Sequence, residues 1–95
     1  MAIVDKNLVG KRLKAARLAS GIERKEFVTR LGIGFADWNN YEDARMLVPP
    51  LSAGKLVELV PGLTLDWIYL GRTNGLDPDL HAKLLAAKDA SGKAA

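Results

Sequence analysis

A glycine at position 32, set between two short stretches of helical periodicity, limits this chain more than any other residue in it. In Gly21 to Glu42, GIERKEFVTRLGIGFADWNNYE, residues Phe27, Val28 and Leu31 mark one apolar face and Trp38 and Tyr41 mark another. Those spacings fit a 3.6-residue period, and Ile33 is placed to fill the corner between the two faces. The chain must turn sharply at Gly32, and a residue without Cβ adopts φ > 0 at no steric cost. One helix is therefore expected over roughly Arg24 to Leu31. A second starts after Gly34 and ends near Glu42.

The rest of the chain carries helical signals as well. Val9, Leu13 and Ala16 fall on one face of a first helix, about Asn7 to Ala19, which Gly21 stops in the position after the helix end. Asp43 to Val48 is a loop, and Pro49-Pro50 forbids helix before permitting one to begin. A fourth helix is expected over Leu51 to Val60, although its apolar residues settle on no single stripe. A fifth begins at Thr64, a good N-cap, and ends at Gly71, with Leu65, Ile68 and Trp67 expected inward. Asp77-Pro78 gives an N-cap followed by proline at the first helical position, a sixth start. Leu80, Leu84 and Leu85 then form a short apolar edge before an Ala- and Lys-rich tail that is expected to fray. Strand signals are absent, so the fold class is all-α.

Ninety-five residues suit one domain with a single core. No cysteine is present, which excludes disulfides and thiolate metal sites and fits a reducing interior. No apolar run approaches the roughly 20 residues that span a bilayer, and the early charges of MAIVDKNLVGKR do not fit a secretory signal. A cytoplasmic protein without membrane association is expected. The net charge is +3, unevenly spread: Lys6, Lys11, Arg12, Lys14, Arg17, Arg24, Lys25 and Arg30 precede position 31, against Glu23 and Glu26 within that run. Such a half suits a polyanion-facing surface, and equally an ordinary solvated helix face.

Two short helices joined by a Gly-containing turn form a helix-turn-helix unit, whose second helix can lie in a DNA major groove. With VGKRLKAARLASG in the first helix, the Gly32 turn, WNNYE closing the third helix and LTLDWIYLG at the end of the fifth, Val9 to Gly71 resembles the phage-repressor type of domain, the lambda-repressor-like or Xre/Cro family. The tail GLDPDLHAKLLAA resembles the extension of bacterial and prophage members. The resemblance implies a compact five-helix DNA-binding domain over 1–72, with a short C-terminal helical extension and tail over 73–95. It also implies a sequence-specific transcriptional regulator, expected to be a repressor, bound as a homodimer to a palindromic operator in double-stranded DNA.

The same resemblance assigns residues. Arg17 and Glu42 match a structural ion pair that joins the first helix to the recognition helix. Arg24 stands where the family commonly has a glutamine that reaches a phosphate, and Lys25 and Arg45 are expected to add phosphate contacts. Phe35, Ala36 and Asn40 match base-reading positions, with Asn39 adjacent. Asparagine can bond adenine N6 and N7, while Ala and Phe can meet the thymine methyl group, so A/T-containing half-sites are expected. Three departures stand out: Glu23 and Gly34 replace the usual Ser or Thr caps, and Val28 replaces Ala. Asp37 would meet either a phosphate, which repels it, or a cytosine amino group, which it would read.

An enzyme is not expected. The chain has one histidine, His81, three serines without a local base, and no Gly-rich phosphate loop. His81 with Asp77 and Asp79 is too sparse for a metal site, no cofactor is implied, and His81 is expected to face solvent. The competing reading is a helix-turn-helix fold reused to bind a protein regulator, in the manner of an antitoxin or antiactivator. An exposed Phe35 and an acidic third helix favour it.

Overall fold

The computed structural model describes the backbone of residues 3–94 and the side-chain surroundings of residues 3–87. Six helices follow in order: α1 Lys6–Ser20, α2 Arg24–Leu31, α3 Phe35–Glu42, α4 Pro50–Leu59, α5 Leu65–Leu70 and α6 Pro78–Ala94. The described residues contain no strand, and none of their helices is long and apolar enough to cross a membrane.

Local chemistry sets most of the boundaries. The Asp5 side chain accepts from Asn7 N at 2.8 Å and Leu8 N at 3.4 Å, starting α1 slightly before the expected position. Gly21 ends it in the left-handed region at φ 72°. Between α2 and α3, the Gly32 N–H donates to Thr29 O and the Ile33 N–H to Val28 O, both at 3.1 Å. With Gly32 at φ 70°, this pair of bonds is the Schellman closure of a helix end. Thr64 Oγ1 accepts from Trp67 N at 3.1 Å to start α5, and Asp77 Oδ2 accepts from Leu80 N at 3.0 Å to start α6. Asp77 was the N-cap expected from sequence.

α1 is the hub, packing against α3, α5 and α6. Its face of Val9, Leu13 and Ala16 is buried, joined by Ala15 and by the charged Arg17. Phe27 and Trp38 are fully covered, with ring centroids 5.3 Å apart and planes tilted by 59°, an edge-leaning aromatic pair. The Tyr69 hydroxyl donates to Val48 O at 2.7 Å, pinning the α3–α4 loop to α5. Burial raises the Tyr69 pKa above its ordinary value.

Three expectations change. Leu65 does not pack inward; it is 43% exposed while Trp67 and Ile68 are buried. A helix of a single buried turn centres its face on that adjacent pair, and Leu65 then lies about 110° away around the axis. The stripe of α4 becomes clear as Ala53, Leu56 and the following Val60, with Leu51 left outside. α6 extends to Ala94, through the Ala- and Lys-rich segment expected to fray, in line with the high helix propensity of alanine and lysine. Leu76, Leu80 and Leu84 belong to the same core as α1, so this segment packs on the domain.

Two glycines inside helices make opposite contributions. A Cβ on Gly10 would stand 2.7 Å from Glu42 O and 3.0 Å from Tyr41 O, so glycine lets α1 lie against the end of α3. A Cβ on Gly54 would meet nothing within 4 Å. Gly54→Ala is expected to raise unfolding free energy by about 0.5–1 kcal/mol. Gly10→Ala is expected to lower it by about 1–3 kcal/mol, because backbone overlap outweighs the same propensity gain. Urea unfolding of both variants checks this, and a stabilised Gly10→Ala would contradict the close approach.

Candidate nucleic-acid interface

The candidate site is the α2–turn–α3 unit, and its geometry begins behind α3. Arg17 Nε donates to Glu42 Oε2 at 2.6 Å, and Arg17 Nη2 donates to Glu42 Oε1 at 3.2 Å. The side chains are 10% and 5% exposed, so the clasp between α1 and α3 anticipated from the sequence is present and buried. Two further partners join it. The Trp38 indole N–H donates to Glu42 Oε2 from one turn earlier, and Arg24 Nη2 approaches Glu42 Oε1 at 3.5 Å. The spacing of Trp38 and Glu42, four apart on one helix, was the available signal for the first of these.

Arg24, Phe35 and Asn39 come together on the outer side. Arg24 Nη1 donates to Asn39 Oδ1 at 3.0 Å, and its guanidinium carbon stands 6.0 Å from the centre of the Phe35 ring. That distance is at the limit of a cation–π contact. Arg24 is therefore engaged within the chain by three groups. Phe35 is 47% exposed, Ala36 and Asp37 are exposed, and Asn39 and Asn40 are half-buried. The Asn40 carbonyl accepts from Arg45 N at 2.9 Å and Met46 N at 3.3 Å as the chain leaves the helix.

Asp37 has a local role that neither expected alternative included. It lies in the first turn of α3, and its Oδ2 is 3.5 Å from where a Cβ on Gly34 would stand. The carboxylate thus folds back over a helix start that has no side-chain cap, where it complements the positive end of the helix dipole. At the start of α2, Glu23 does cap, accepting from Lys25 N at 3.3 Å.

The basic run is partly consumed by the fold. Arg17 and Arg24 meet Glu42, Arg30 pairs with Glu26 at 2.9 Å, and Arg12 Nη1 donates to Ile68 O at 3.2 Å. Lys25 on α2 and Arg45 in the α3–α4 loop are exposed, and neither is among the described partners of Arg24. Beside Arg45 the sequence reading missed an exposed apolar stretch: Met46 is 54%, Leu47 45% and Leu51 76% exposed. Its hydrophobicity was visible in the sequence, but its outward placement was not. Ala44, at φ 61°, is the described non-glycine residue held in the left-handed region, at a cost of about 1–2 kcal/mol.

Glu42→Gln is expected to destabilise the protein by about 3 kcal/mol, because Arg17 keeps its buried charge without a carboxylate. Arg24→Ala, at a partly exposed member of the same cluster, is expected to cost less than about 1 kcal/mol. Equal losses in urea unfolding would show that Arg17–Glu42 is not the principal link. Comparison with protein-family profiles, with curated proteins and with solved structures finds no match to this chain.

Proposed function

We propose that this chain is a sequence-specific DNA-binding regulator of transcription, acting as a repressor, with α1 to α5 forming a lambda-repressor-like unit and α6 an addition to it. The observation that carries this reading is the two-sidedness of α3. Trp38, Tyr41 and Glu42 anchor its inner side, while Phe35, Ala36, Asn39 and Asn40 remain at least partly open to solvent.

In this reading α3 enters the major groove, and the Arg24–Asn39 bond divides the work of the two asparagines. Arg24 occupies the Asn39 amide oxygen, leaving its NH2 group for acceptors such as guanine O6 and N7 or thymine O4. Asn40 keeps both amide functions for the paired contact with adenine N6 and N7. Lys25 and Arg45 contribute phosphate contacts that fix position without reading sequence. Two copies would bridge half-sites about 34 Å apart on one side of the duplex.

A second reading, a protein-interaction module, is favoured by the exposed Phe35, Met46, Leu47 and Leu51 and by the acids Asp37 and Asp43 on or beside α3. Large contiguous apolar patches on a protein surface mark sites of interaction.

Selection of bound oligonucleotides from a random pool is expected to return a palindrome, and binding to it should fall steeply as salt rises. Asn40→Ala should weaken the selected operator by about 1–3 kcal/mol more than random DNA, whereas Lys25→Ala should weaken both alike. No enriched sequence, or affinity insensitive to salt, would favour the protein partner instead.

A further inference from the structure

A cavity of about 290 Å³ opens between α1, α5 and α6, just below the range of roughly 300–1,000 Å³ for drug-sized ligands. Its apolar wall has the largely buried Trp67 on one side, with Leu8 and Leu85, both about half exposed, beside it. Its charged and titratable lining is Lys11, Arg12 and His81; no carboxylate lines it among the described residues. His81, expected to face solvent, is half-buried there.

Arg12 is held in place by the fold. One N–H donates to Ile68 O at 3.2 Å, covering a carbonyl that the end of α5 leaves unpaired. The guanidinium lies so close to Gly71 that a Cβ there would stand 2.6 Å from Nη2. A guanidinium carries five N–H donors in a planar fork, and among the described residues the one bond to a carbonyl leaves the cation without a contacting anion. Burial lowers the Arg12 pKa from its ordinary value, opposed by Asp5, whose carboxylate is itself engaged in capping α1.

We propose that this cavity binds a small organic anion, a carboxylate on a compact apolar body. The carboxylate meets the free edge of Arg12, with Lys11 and His81 adding positive charge and donors, while the apolar part covers Trp67 and the leucines. An apolar body that brings the total to about ten non-hydrogen atoms suits a cavity of this size. The site is independent of any contact between α3 and DNA, since no residue of α2 or α3 lines it.

The test is an NMR titration of the full chain with sodium octanoate, using octan-1-ol as the uncharged control. Saturable shifts are expected at the Trp67 indole and the Gly71 and Thr73 amides, with a Kd on the order of 0.1–1 mM and binding of the alcohol about tenfold weaker. Lys11→Glu, at an exposed position, should weaken octanoate about tenfold and leave octanol unchanged. Equal binding of acid and alcohol would overturn the proposal. So would shifts centred elsewhere, the absence of saturation, or an Arg12→Gln variant with a folded spectrum and undiminished preference for the acid.

Discussion

The carboxylate of Glu42 ties the first three helices together. It receives both ends of the Arg17 fork from α1, the Trp38 indole from its own helix, and the approach of Arg24 from α2. Taking such a charge out of water is costly, and its attractions largely offset that cost rather than adding much net stability. What the cluster supplies is geometry, since a carboxylate with this many directed partners leaves α3 one orientation relative to α1. The backbones meet at the same place, where Gly10 admits the last carbonyls of α3.

Around that point the hydrophobic effect provides the bulk of the cohesion. Trp38 and Phe27 fill the space between α2 and α3, and the α1 face of Val9, Leu13 and Ala16 lies in the same core as the buried residues of α5 and α6. α1 thus serves two regions with two arginines: Arg17 braces the helix proposed to face DNA, and Arg12 closes the end of α5 beside the cavity. Both are fixed by partners distant in sequence.

Much of this was legible in advance. The ends of α2 and α3, the left-handed turn at Gly32, the caps at Thr64 and Asp77 and the core placement of Trp38, Tyr41 and Trp67 all follow from short-range rules. The Arg17–Glu42 pair was found through resemblance to a family, since nothing in the spacing of two residues 25 apart would have matched them. Leu65 was misplaced because a six-residue helix shows too little of a period to fix its face. Arg24 and Asn39 are candidate site residues from the sequence, but their bond to each other is not legible there. Two polar side chains on different helices carry no local sign that they will meet.

The sequence by itself determined where helices begin, end and turn, because caps, glycine conformations and proline restrictions act over a few residues. It also determined the broad division into apolar and polar faces. Tertiary structure alone decided which polar groups are spent inside the fold and which stay available. The exposure of Met46, Leu47 and Leu51, the seating of Arg12 against α5 and the half-burial of His81 depend on how helices far apart in the chain pack. Hydrogen bonds and desolvation act over a few ångströms of space, whatever the distance along the chain.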